Sequence, residues 1–287
     1  MFLWLVLGCE ETKIDYSKVW GWVAVQESTV PCDLHNEWCG PVRARFAVAP
    51  SYSHSLYHQR VKLFCREVEK SGDCSFYAEC GVPSSDRRSC YNSCASDEEC
   101  LGSQCVKLPL ALDAGKITLS GLKKDIAMSM DDAGKYQAEL APETDLFDAG
   151  SPISAQAAGS DLEAFSLQAF GVEDIKGYPE TVVLGSGKDI SVAWTPAQTG
   201  SRVELILIAG WHYPFLPGGA ILCDGEDAQG SFSISSALIG KFLEAGAALP
   251  YAHGLIGRYT RGTTQISGGQ EIELFVSSLR SVAINLQ

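Results

Sequence analysis

Short alternations of apolar and polar positions recur along the chain, most clearly after Leu110. An alternation of period two places one side of a strand in a core and the other in solvent. On that basis strands are predicted at Lys116–Gly121, Asp125–Met130, Lys135–Leu140, Pro152–Gly159, Ala164–Phe170 and Thr181–Gly185. More follow at Asp189–Thr195, Arg202–Ala209, Gly219–Gly225, Ser231–Ser236, Gly254–Gly262 and Glu271–Leu286. One helix is predicted at Ser236–Ala245, where Leu238, Phe242 and Ala245 share a face. Many short strands separated by Gly, Asp, Pro and Ser predict an all-β domain, an antiparallel β-sandwich of jelly-roll type.

The first part of the chain is patterned differently. Val19–Ser28 and Val42–Ala49 read as strands. The run Ser51–Cys74 fits either a helical face (Leu56, Arg60, Leu63, Phe64, Val68) or a strand (Val61, Leu63, Cys65). The strand, ending before a turn at Gly72, is the preferred reading. At the extreme N-terminus, Phe2–Leu7 is continuously apolar but far too short to span a bilayer as a helix. Val6, Leu7, Gly8 and Cys9 resemble the lipobox that ends a bacterial lipoprotein signal, which implies lipidation of Cys9. The competing reading makes Phe2–Leu7 a buried strand and Cys9 an ordinary cysteine. The polar stretch Glu10–Lys18 suits a tether.

Cysteine usage sharpens this division. Of 11 cysteines, all but Cys223 precede Leu110: Cys9, Cys32, Cys39, Cys65, Cys74, Cys80, Cys90, Cys94, Cys100 and Cys105. No C-x2-C spacing exists, which argues against zinc knuckles and thiol redox chemistry. The remaining reading is a disulfide framework in an oxidising compartment. Setting Cys9 aside leaves an even number for pairing. Any partner of Cys223 must then lie within residues 32–105. The expected organisation is a signal remnant (1–9), a tether (10–18), a cysteine-rich β segment (19–109) and a β-sandwich (110–287).

Net charge is −13, and residues 110–287 carry 11 Lys+Arg against 21 Asp+Glu. Such a surface repels nucleic acid and anionic headgroups. No HExxH, G-x-S-x-G, P-loop or dinucleotide fingerprint is present. No cofactor is expected. His54 and His58 are four apart and would form a metal pair only on a helix. Asp224, Glu226 and Asp227 form either a surface turn or a calcium loop. Trp211, His212, Tyr213 and Phe215 form an aromatic loop that either packs over the sandwich or stacks on a sugar ring.

Two resemblances extend the reading. The spacing of Cys94, Asp97, Cys100, Gly102 and Cys105 is similar to the core of whey-acidic-protein-type and other small secreted disulfide modules, without their paired Cys-Cys. The succession "AGKITLSGL", "LFDAGSPISAQAAGSDLEAF", "ISVAWTPAQTGSRVELIL" and "CDGEDAQGSFSISSALIGKFL" resembles a family of secreted lipoproteins of myxobacterial type. That resemblance implies a cell-envelope or extracellular location, a lipid anchor in a bacterial outer membrane or surface, and no catalytic residues. The expected function is non-catalytic binding of an extracellular glycan or protein. The alternative is an extracellular hydrolase of polysaccharide or protein.

Overall fold

The computed structural model describes residues 20–28, 42–48, 56–78, 94–95, 97–101, 104–138, 140, 145–197, 200–209, 218–245, 252–267 and 270–287. In chain order the first strands are β1 (Trp20–Ser28), β2 (Val42–Ala47), β3 (Arg66–Ser71), β4 (Cys74–Ala78), β5 (Glu98–Leu101) and β6 (Gln104–Lys107). Then come β7 (Ile117–Ser120), β8 (Ile126–Met128), β9 (Tyr136–Gln137), β10 (Pro152–Ala157), β11 (Phe165–Phe170) and β12 (Thr181–Leu184). The last are β13 (Ile190–Ala193), β14 (Arg202–Ala209), β15 (Gly219–Glu226), β16 (Ser231–Ile234), β17 (His253–Ile266) and β18 (Gln270–Leu286). Two helices, α1 (Tyr57–Phe64) and α2 (Ser236–Glu244), complete the elements longer than a single turn.

The fold is all-β. A ten-stranded sheet runs β3-β4-β15-β14-β17-β18-β1-β2-β9, with β12 also paired to β18. It is mixed, because β1 and β12 both run parallel to β18 and the other pairings are antiparallel. The segments 19–109 and 110–287 therefore contribute strands to the same sheet. A four-stranded sheet, β11-β10-β7-β8, and two ribbons, β13-β16 and β5-β6, stand apart from it.

One face of the long sheet carries two apolar cores in succession. On β18, Ile272, Leu274 and Val276 enter the first core, and Val282 and Ile284 enter the second. All five share one parity, so the strand stays in phase while its cover changes. The four-stranded sheet covers the first core with Ile117, Leu119, Ile153, Ala155, Leu167 and Ala169. The β13-β16 ribbon and α2 cover the second with Val192, Phe232, Ile234, Leu238 and Phe242. At Gly262 on β17 an added Cβ would meet the Gln168 carbonyl oxygen at 1.9 Å. Only glycine lets β11 approach β17 so closely there.

Between the two cores lies a polar seam. Arg258 and Asp227, each 1% exposed, form an ion pair at 3.0 Å. Arg258 also donates to the carbonyls of Glu173, Asp174 and Thr195. The Asp227 carboxylate also accepts from Trp194 Nε1 at 2.9 Å, Ala197 N at 2.7 Å and Ser201 Oγ at 3.1 Å. A buried ion pair is tolerable when its remaining donors and acceptors are filled in this way.

The opposite face of the sheet is covered by α1. A strand ending before a turn at Gly72 was expected over this stretch; the edge strand β3 and the Gly72 turn are found, but Tyr57–Phe64 before them is a helix. The reason is burial: Leu56, His58, Gln59, Val61 and Cys65 turn toward the sheet, while Lys62 stays in solvent. Leu56 packs with Trp22, Ala24, Tyr259 and Phe275, and Val61 with Tyr77, Ile206, Ile208, Ala220 and Leu222. Gln59 Oε1 accepts the Leu56 N–H at 3.0 Å, satisfying a donor at the helix start. Among the described residues no helix is long and apolar enough to cross a membrane.

Candidate functional site

Among the described residues, a dense group of ionisable side chains lies between α1 and the sheet. Glu204 on β14 stands directly opposite Asp224 on β15, because these residues are register partners. Their neighbours in the strands alternate between faces: Val203 and Leu205 enter the second core, so Glu204 must face α1. Glu273 on β18 reaches the same side by the same alternation, flanked by the core residues Ile272 and Leu274.

His58 is the centre of the group. Its Nδ1 lies 3.7 Å from Glu204 Oε2, and its Nε2 lies 3.7 Å from Glu273 Oε1. Both distances exceed hydrogen-bond reach, so the attraction acts between charges when the imidazole is protonated. The ring lies against Phe275, with centroids 4.8 Å apart. Phe275 in turn stacks on Tyr259 at 5.0 Å. Tyr259 donates its hydroxyl to Asp224 Oδ1 at 2.8 Å, and Arg202 Nε bonds the same carboxylate oxygen at 3.0 Å. Arg202 also reaches Glu226. Lys62 approaches Asp224 at 3.6 Å, and Arg261 approaches Glu273 at 3.8 Å.

The environments push the carboxyl groups in opposite directions. Burial raises the pKa of Glu204 above the ordinary carboxylate value, against the pull of His58 and Lys62. For Glu273 burial acts the same way, but His58, Arg261 and Lys62 outweigh it and hold the group low. Asp224 is also held low: burial opposes ionisation, and Tyr259, Lys62 and Arg202 overcome it. Desolvation raises Tyr259, reinforced by the adjacent Asp224. On the rim, Tyr77 is pushed up to about 12 by burial and by its bond to Glu67.

Two carboxyl groups with pKa values driven apart are an arrangement that acid–base chemistry uses. Here the imidazole occupies the space between them, and α1 closes over all three. Because the two glutamates address opposite nitrogens of one ring, a single ion bound to His58 would not reach both. The geometry suits a polar clamp that seats α1 on the sheet.

The residues singled out in the sequence are distributed as follows. Cys74 and Cys223 form a disulfide across β4 and β15, so the partner of Cys223 does lie in the cysteine-rich segment. Cys94 and Cys105 form a second disulfide, which braces the β5–β6 hairpin. Their sulfurs lie near Glu98. The disulfide takes them out of any metal-ligating role. Cys65 is also disulfide-bonded. Cys100 lies in β5 opposite Cys105. Cys9, Cys32, Cys39, Cys80 and Cys90 lie outside the described residues, as do His54, Trp211, His212, Tyr213 and Phe215. Asp224, Glu226 and Asp227 do not form a calcium loop. Each is spent on an arginine: Asp224 and Glu226 on Arg202, and Asp227 on Arg258. The His58 cluster was not foreseen, because its members come from five elements, brought together only by the folding of α1 onto the sheet. The one signal available was an isolated glutamate in the otherwise apolar run "VELILIA" of β14.

No family model matches the chain, and no curated protein matches it. Among solved structures, one concerning host cell surface retention of a 1.5-MDa bacterial ice-binding adhesin is 9% identical. The match covers 61% of this chain and 55% of that one, with a TM-score of 0.19. A tetra-tandem repeat from the extending region of a large adhesion protein is 15% identical over 60% of this chain and 42% of that one, at a TM-score of 0.16. A Ca2+-stabilized adhesin of an Antarctic bacterium that binds ice is 9% identical over 75% of this chain and 44% of that one, at 0.19. The chain thus spans about half the length of these proteins. Superpositions this loose carry no argument about its fold or function.

Proposed function

We propose that the protein is a cell-envelope lipoprotein, anchored through Cys9, that binds an extracellular glycan or protein without chemical turnover. The observation that carries the non-catalytic half is the closure of the His58 cluster. The carboxyl groups best placed for acid–base work face one another across an imidazole, beneath a helix, with Glu204 only 4% exposed. A hydrolase needs that space for a scissile bond and a water. Disulfides at Cys74–Cys223 and Cys94–Cys105 support an oxidising compartment. The proposed contact residues are Trp211, His212, Tyr213 and Phe215. Their segment joins Ala209 to Gly218, which are hydrogen-bonded at 3.0 Å. Recognition residues are commonly carried on the segments that connect the strands of a rigid scaffold.

Two experiments test this. Palmitate labelling and membrane fractionation should find label and membrane association in the wild type and neither in Cys9→Ser. An array of cell-wall and extracellular glycans and surface proteins should show binding that Trp211→Ala with Tyr213→Ala abolishes. Polysaccharide or peptide cleavage by the purified protein, lost in Glu204→Gln or Glu273→Gln, would establish the hydrolase instead.

A further inference from the structure

We infer that the fold is a force-bearing clamp, in which the first and last strands of the sheet resist separation by shear. The strands β1 and β18 are parallel neighbours in eight consecutive residue pairs, from Gly21 with Ile272 to Ser28 with Leu279. In a parallel pair, the start of one strand and the finish of the other lie at opposite ends. Tension between the start of β1 and the finish of β18 therefore slides the strands along each other. Every ladder hydrogen bond then shares the load and must fail together. Tension across the same pair at one end would open the bonds one at a time.

Three further features strengthen the clamp. On its other side β1 is held by six antiparallel pairs to β2, which must also shear if β1 is withdrawn. β18 is held on its far side by β17 over fourteen pairs, and its last residues, Ala283–Leu286, run parallel to β12. The ladder is also dry. Trp22, Val23, Ala24 and Val25 are at most 1% exposed, so water cannot readily replace a stretched bond. The resistance is kinetic, since forced rupture is governed by the unfolding barrier rather than by equilibrium stability.

The use of this clamp rests on the anchor proposed above, since a lipid on Cys9 would deliver force to the start of β1. Register shows which residues lie at each end of the sheet. Glu271, beside the entry of β1, faces Gln265 on β17. At the other end of the sheet Ala283 faces His253, and Ile208 also faces His253. A load applied where β14 and β18 finish would therefore cross β17, β18 and β1 along their lengths.

Single-molecule pulling of the full chain tests the clamp directly. One sample carries handles at the two chain ends. The other carries a handle at the N-terminus and one at Gln265, an exposed position at the same end of the sheet as the start of β1. At matched pulling rates the end-to-end geometry should rupture at a severalfold higher force. Equal or lower force end to end would overturn the inference. The lipid anchor is tested separately by palmitate labelling, so a clamp that holds without label would sink the anchor alone.

Discussion

Replacing Cys74 and Cys223 together with alanine should destabilise the protein more than any other change at a described cysteine. The disulfide closes a loop with a sequence separation of 149 residues. Loop-closure entropy for about 150 residues corresponds to about 5 kcal/mol at 25 °C. That is a large share of the roughly 5–15 kcal/mol by which folded proteins are stable. With a urea slope of about 3 kcal/mol per M, the midpoint should fall by about 1.7 M. Both sulfurs sit in the second core, at 0% exposure, so lost packing adds to the effect. The assay is urea denaturation of the oxidised wild type and the double variant, followed by tryptophan fluorescence and by far-UV circular dichroism. Coincident curves would license the two-state reading. The Cys94→Ser, Cys105→Ser variant is the control. Its disulfide spans a separation of only 11 residues, within a hairpin that supplies nothing to the four core clusters. The same relation gives about 2.8 kcal/mol for this shorter loop, so its midpoint should fall by only about 0.9 M. A loss below about 1 kcal/mol in the Cys74, Cys223 variant would refute the loop-closure reasoning.

Further outcomes follow from the seam and the clamp under α1. Arg258→Met should cost about 3–5 kcal/mol, because it strands the Asp227 carboxylate in the interior; adding Asp227→Leu should recover part of that loss in a double-mutant cycle. Glu204 has a folded pKa raised above its ordinary value, so its contribution is present in acid and lost as pH rises through the raised pKa. Glu204→Gln should therefore raise the urea midpoint at neutral and alkaline pH and leave it unchanged in acid; a gain confined to acid would reverse the assignment. Glu273 and Asp224 are held low, so their contributions are present above the ordinary carboxylate values and lost as pH falls through the depressed ones. The acid limb of a stability–pH profile should accordingly flatten in Glu273→Gln. Gly262→Ala should cost about 1–3 kcal/mol by forcing β11 away from β17, read as a drop in melting temperature.

Much of the architecture was legible in the residues. Period-two alternation located β7 to β18 and the two N-terminal strands, usually to within a few residues. The helix α2 was found from the spacing of Leu238 and Phe242. What failed was the first part of the stretch before Gly72, where eight helical residues precede the strand that begins at Arg66. Too few turns are present for either period to dominate, and the helix is selected by its burial on the sheet. The two parallel pairings were also invisible, because local pattern reports which face of a strand is buried and says nothing about its neighbour's direction. The polar interruption "SSLRS" in β18 was readable as a break in the apolar run. Its meaning required Asp174, which bonds Ser278 and Arg280 from a distant loop.

The last strand in the chain occupies the middle of the large sheet. Until residues 270–286 are available, β1 and β17 each lack a neighbour, and both cores lack the residues of β18 that line them. Synthesis order and assembly order are thus opposed. An emerging chain can pair β3 with β4 and β14 with β15 first, but it cannot close its sheet until β18 has emerged. Removing the seventeen residues of β18 would split the sheet at its centre, where removing an edge strand would merely narrow it. Closure of the large sheet is thus tied by topology to the arrival of β18, whatever the order in which the other strands pair.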